Sequence, residues 1–246
     1  YKAEKSFFDI PDYFYKLSPK ERQSGITEIV VDAVSSFMGV NKTKVEFHDH
    51  HTCHVMYGYF ANTNRKKETI GITVDSYGDG KNQTVWEIKD DKFKIVSESA
   101  QCEIARLYRL ITLYLRMKPL EHEFKVMGLA PYAKEKYVNE VVSEFEGLLA
   151  FDGLNIVHDN RPVDLFDFLN ERLKRYRFDN IAGGIQKYTE KMLVELFKRC
   201  FEKTGIKNFI FSGGVAMNVK ANKVIGELDF VDDLFVAGSS SDESQS

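Results

Sequence analysis

Residues 25–38 (GITEIVVDAVSSFM) place Ile26, Ile29, Val30, Ala33, Val34 and Phe37 at helical spacing, which predicts a helix. Gly39 follows at once, the residue type that closes a helix in the left-handed conformation. Before it, residues 1–24 are aromatic-rich and broken by Pro11 and Pro19, so the pattern predicts an irregular lead-in. VEF (45–47) reads as a short strand and HHTCHVMYGYFA (50–61) as a helix. The period then changes. TIGITVD (69–75) is β-branched, SYGDG (76–80) is a turn, and TVWEIK (84–89) and KFKIVSE (92–98) flank Asp90–Asp91 as a hairpin. Together they predict an antiparallel meander. A helix is expected at 102–116, where Ile104, Leu107, Tyr108, Ile111 and Leu115 share one side, whereas 121–133 (EHEFKVMGLAPYA) reads as loop. Helices follow at 135–149, 163–175 and 180–204. NFIFSGG (208–214) is a buried strand entering a glycine turn, residues 215–225 open a helix, and DLFVA (233–237) is a last strand. There is no internal repeat. This succession predicts an α/β fold with a mixed sheet flanked by helices.

Composition narrows the class. Hydrophobic residues at 43% and charged residues at 29% suit a globular chain, not a disordered one. No apolar run is long enough for a membrane span, and no leader peptide is visible. The 34 basic and 37 acidic residues are intermixed, so no basic stripe is available to track a nucleic-acid backbone. Neither a membrane nor a nucleic acid is therefore an expected partner. Three widely spaced cysteines, at 53, 102 and 200, predict reduced thiols and a cytoplasmic setting. The chain opens on Tyr1 and ends on the polar SSSDESQS, so a longer polypeptide is expected.

Three constellations carry candidate chemistry. Four of the six histidines lie at 48, 50, 51 and 54. In a helix, His50 and His54 stand one turn apart on one face and can share a metal ion. The plain alternative is a polar helix start with solvated or core histidines. No Glu follows His50, so the zinc-protease pattern is absent, and a carboxylate must come from elsewhere. TVDSYGDG sets Asp75 at a strand end before glycines, where it can hold a metal or position water; Asp-Gly turns are also ordinary connectors. FSGGVAMN runs a strand through Gly213–Gly214 into a helix start, a cradle for an anion or nucleotide with Asn218 on the first turn, or else a simple connector.

Five segments occur in order over about residues 45–242: HDHHTCH (48–54), TIGITVDSYGDG (69–80), LYRLITLYLRMKPLEHEFKVMGLAPYA (107–133), NIAGGIQKYTEKM (180–192) and FSGGVAMNVKAN (211–222). Together they resemble the nodulation-type O-carbamoyltransferases, whose large domain is related to the tRNA threonylcarbamoyl-transfer proteins and to the actin, hexokinase and Hsp70 fold. EFKVMGLAPY and GGVAMNVKAN are the most specific strings. The resemblance implies an actin-like (ASKHA) fold, and His50 and His54 as ligands of a divalent metal, commonly iron. It implies Asp242 as the third ligand, although serines replace the glycines expected around it. It also matches Asp75 to the carboxylate that meets the metal-bound nucleotide, and Gly213, Gly214 and Asn218 to the loop that holds the adenylate. Lys125 and Glu123 fall in a segment close to the acceptor cleft.

The implied chemistry starts from carbamoyl phosphate and ATP. These give carbamoyl-adenylate, and the carbamoyl group then passes to the hydroxyl of a small-molecule acceptor. No general base is identified. The resemblance further implies that a strand-rich N-terminal part and a C-terminal adenylate-forming domain belong to the same longer polypeptide. This chain alone is then expected to be inactive and to leave a sheet edge unpaired. Two other readings stand beside it. One is another nucleotide-dependent enzyme of this fold, sugar-kinase-like or tRNA-modifying, the latter expected to be more basic. The other is a non-catalytic metal- or nucleotide-binding module.

Overall fold

The computed structural model describes residues 19–242, so Pro11 and the rest of the expected lead-in before residue 19 lie outside the described residues. Helix α1 runs Pro19–Met38 and starts earlier than the apolar period predicts. Pro19 lies within the helix and does not exclude it, since a proline is tolerated in a first helical turn. Gly39 follows with φ +64°. VEF does not form a strand. A 3₁₀ turn at Lys42–Lys44, capped by Asn41, precedes it, and Asp49 caps the next helix, leaving only a short exposed link. Helix α2, His50–Ala61, has the predicted bounds; the Asp49 carboxylate accepts the Thr52 N–H at 3.0 Å.

The meander forms as β1 (Glu68–Gly78), β2 (Lys81–Lys89) and β3 (Lys92–Ser99). Its turns, Asp79–Gly80 and Asp90–Asp91, all have positive φ, the conformation that two-residue hairpin loops need. Residues 76–78 stay in β1 and are not part of the turn, with a register shift between Val74 and Gly78. Helix α3 spans Ile104–Tyr114. The segment expected as loop is instead α4 (Glu123–Leu129) followed by a 3₁₀ turn, Ala130–Tyr132. Two turns interrupted by Gly128 and Pro131 are too short to show a period. Helix α5 ends at Phe145 (Glu135–Phe145), and Gly147, at φ +81°, turns the chain into a hairpin of β4 (Leu149–Asp152) and β5 (Asn155–His158) that the helical reading of 135–149 missed. The rest comprises α6 (Leu165–Leu173), α7 (Phe178–Thr204), β6 (Asn208–Ser212), α8 (Val219–Gly226) and β7 (Asp233–Val236).

Five strands form one mixed sheet in the order β3-β2-β1-β6-β7, the first three antiparallel, with β6 parallel to β1 and β7 parallel to β6. Helices flank it, as expected for an α/β fold. On one face Ile70, Ile72, Val74, Phe209 and Phe211 pack with Leu107, Ile111, Leu193 and Phe197 of α3 and α7. On the other, Val55 and Tyr59 of α2 meet Trp86, Ile88 and Ile210. None of the described helices is long and apolar enough to cross a membrane. The three cysteines are free thiols.

Helix α2 lies unusually close to the sheet because two glycines let it. A Cβ on Gly58 would stand 2.4 Å from Ser212 Oγ and 2.6 Å from Ile210 Cγ2; one on Gly71 would stand 2.4 Å from Val55 Cγ2. Gly58→Val is accordingly expected to destabilise the protein by about 1–3 kcal/mol through overpacking. Helix propensity alone would favour valine slightly. The sign of the shift in a urea unfolding midpoint therefore decides whether this close approach governs.

Candidate metal centre and adjoining cavity

The first turn of α2 sits over the end of β1. His50 and His54, one turn apart, bring their Nε2 atoms to 3.1 Å from one another. Asp75 Oδ2 approaches to 3.0 Å from His54 Nε2 and 3.5 Å from His50 Nε2. Asp242, near the end of the described chain, reaches in with Oδ1 3.6 Å from His50 Nε2 and 3.7 Å from His54 Nε2. All four donor atoms lie within 4.8 Å of one another. His54 is fully buried and Asp75 is 8% exposed, whereas the Asp242 side chain is 72% exposed.

Local backbone chemistry holds this arrangement. The His50 N–H donates to Asp79 Oδ2 at 2.7 Å, tying the start of α2 to the β1–β2 turn. The His50 ring lies where a Cβ on Gly78 would be, 2.1 Å from its Cδ2, so only glycine fits there. Gly213 has φ +88°, and a Cβ on it would stand 2.5 Å from the Val74 carbonyl oxygen. This close approach lets the Gly214 N–H donate to Asp75 Oδ2 at 3.1 Å, while the Ser76 N–H donates to Oδ1 at 2.5 Å.

Charge follows the geometry. Burial works against ionisation of Asp75, but His50 and His54, with the Ser76 and Gly214 amides, outweigh it and hold the carboxyl far below the usual carboxylate range. Burial likewise disfavours the charged form of His50, yet Asp75, Asp242 and Asp79 together raise its pKa. His51 points elsewhere, its Nδ1 2.6 Å from Thr73 Oγ1, and burial pushes its pKa down to about 4. His48 is exposed, 3.6 Å from Glu46.

Two imidazoles and two carboxylates form a donor set suited to a divalent transition metal. Ligands about 2.0–2.1 Å from one ion stand roughly 3.3 Å apart at tetrahedral corners. The separations between the histidine nitrogens, and from them to the carboxylate oxygens, are 3.0–3.7 Å and match that spacing, with all four donors within 4.8 Å of one another, so the residues fit such an ion.

A cavity of about 410 Å³ opens beside this cluster, lined by Asp75, Ser76 and Asp242 on one side and by α3, α4 and α7 on the other. Gly214, Asn218 and Glu123 line it, as the sequence led one to expect of the site. Lys125 does not. It is exposed, with Nζ 5.7 Å from the centre of the Phe124 ring. Gly213 shapes the turn without lining the cavity.

The helix expected directly after the glycines begins later. A 3₁₀ turn spans Gly214–Met217, and Asn218 caps α8 by accepting the Ala221 N–H at 3.0 Å. The Asn218 amide also pairs with Gln186 through two contacts of 3.0 Å. The Gly214 amide is thus committed to Asp75 and is no longer a free helix-start donor. Tyr108, Arg109 and Thr189 also line the cavity. The sequence marks Tyr108 as an apolar-face residue, and no local signal sets Arg109 or Thr189 apart.

Residues 13–245 match the family model described as carbamoyltransferase N-terminus. An uncharacterized protein of Methanocaldococcus jannaschii is 26% identical over 218 residues, covering 81% of this chain and 36% of that protein. Nodulation protein NolNO of Sinorhizobium fredii is 24% identical over 207 residues, covering 82% of this chain and 30% of its own. The chain spans about a third of the length of these relatives. Full-length HypF, solved in a phosphate- and nucleotide-bound form, aligns with TM-score 0.48 and 13% identity over 83% of this chain and 36% of that one.

Proposed function

Because the chain belongs to the carbamoyltransferase N-terminus family, we propose that it is the transfer part of an O-carbamoyltransferase. In this reading it moves a carbamoyl group from carbamoyl-adenylate to the hydroxyl of a small-molecule acceptor. The single observation that carries the proposal is the convergence of His50, His54, Asp75 and Asp242, the two carboxylates of which also line the cavity. The family match favours this reading over a sugar-kinase-like or tRNA-modifying one. An antiparallel meander continued by two parallel strands agrees with an actin-like (ASKHA) fold. The strand-rich N-terminal part and the adenylate-forming domain, which makes the donor from carbamoyl phosphate and ATP, are assigned to the remainder of a longer, cytoplasmic polypeptide.

In the reaction the acceptor oxygen attacks the carbamoyl carbon, the bond from that carbon to the phosphate oxygen breaks, and AMP leaves. The acceptor's hydroxyl proton is released to water, so carbamoyl ester, AMP and one proton are the products. A divalent ion held by His50, His54, Asp75 and Asp242, iron on the resemblance, would supply positive charge to the phosphate. The chain's own contribution is positioning. The Ser76 and Gly214 amides fix the Asp75 carboxylate, and Gly78 gives the His50 ring its place. The Gln186–Asn218 pair fixes one wall of the cavity.

Carbamoyl phosphate, ATP and a panel of hydroxyl acceptors test this with the longer polypeptide, with and without chelator. Chelator-sensitive transfer is expected, and undiminished transfer after the metal is stripped would overturn the reading. The present chain by itself is expected to show no turnover in the same assay. Turnover would contradict the division between transfer and adenylate formation.

A further inference from the structure

We propose that Arg109 binds the phosphate that links the carbamoyl group to the nucleotide. This rests on the reading above, in which carbamoyl-adenylate enters the cavity. Among the described residues, the charged ones lining the cavity are Asp75, Glu121, Glu123, Asp242 and a single cation, Arg109. The acids are engaged. Glu121 pairs with Lys118, Glu123 accepts the Leu120 N–H at 2.8 Å, and Asp75 is held by the two imidazoles and two amides. Arg109 is different. It is partly buried on α3, and its hydrogen-bond contact is a long one, Nη1 to Ser76 Oγ at 3.5 Å.

That contact also locates the guanidinium, because Ser76 follows Asp75 in the chain. Arg109 therefore stands at the metal-centre end of the cavity. Asp75 and Asp242 carry two negative charges, enough to balance a divalent ion, so a phosphate placed there needs another positive group. A guanidinium supplies it, with a planar fork of donors matched to phosphate oxygens.

Calorimetric titration of AMP, adenosine and inorganic phosphate into manganese-loaded wild type, Arg109→Ala and Arg109→Lys tests the assignment, with metal content and melting temperature measured on each. Arg109→Ala should bind AMP about 10- to 100-fold more weakly. Arg109→Lys should lose less, adenosine affinity should not change, and metal content should match wild type. Equal AMP affinity in wild type and Arg109→Ala would overturn the inference while leaving the function reading intact. So would an equal loss for adenosine, or a loss for inorganic phosphate alone. Failure of wild type to bind AMP at all would remove the nucleotide reading and this inference with it.

Discussion

His54→Ala should abolish divalent-metal binding at the proposed centre, lowering affinity by at least about 100-fold. Changes to groups that merely support metal ligands already cost about 10–100-fold. His54 is more central. Its Nε2 is the atom closest to both His50 Nε2 and Asp75 Oδ2, and its side chain is fully buried. No outside group can replace it without moving α2. The substitution also removes one of the two imidazoles that keep the Asp75 carboxylate ionised while buried, so a partial loss of stability should accompany the loss of metal. His48→Ala is the matched control, since that ring is exposed beside Glu46, and it should keep wild-type metal content. Metal analysis after dialysis against a weak chelator separates the two. Full stoichiometry in His54→Ala would show that the ion sits elsewhere.

A second large effect is expected on the opposite face of the sheet. Phe197 is fully buried, its ring 5.1 Å from Phe209 and 5.5 Å from Phe211, centre to centre, so α7 is fastened to β6 through aromatic contacts. Phe197→Ala should cost about 3–5 kcal/mol, the range for emptying a buried phenylalanine site. For a chain of this size that lowers the melting temperature by roughly 6–20 °C. The metal centre lies under α2, across the sheet, so metal content below the transition should be unchanged. A melting temperature within 2 °C of wild type would mean that this cluster does not hold the core together.

Much of the architecture was legible because it repeats a period. The helix at 50–61, the meander and the long helix ending before Gly205 follow from apolar spacing and turn residues. Shorter features were not. Helix α4 is only two turns long, and the β4–β5 hairpin is masked by a run whose valines and leucines suit a helix equally well. Pro19 reads as a breaker in isolation, yet the described helix includes it.

At the site, the histidines were visible from their density and i, i+4 spacing. The role of Asp75 was only half visible. Sequence places it at a strand end near glycines, but only the fold brings β6 beside β1, so that the Gly214 amide meets that carboxylate and Asp75 joins the donor cluster. The glycine turn pointed to an anion, and the anion its Gly214 amide reaches in this structure is the protein's own Asp75. Arg109 and Thr189 carry no local signal, because what distinguishes them is the cavity they share and not their neighbours in sequence.

Anomalous diffraction at the absorption edge of the bound metal is the most direct test of the central claim, that the start of α2 and the end of β1 together hold one cation. A single anomalous peak is expected about 2.0–2.3 Å from Nε2 of both His50 and His54, with carboxylate oxygens of Asp75 and Asp242 completing the shell. A peak that touches neither imidazole would contradict it.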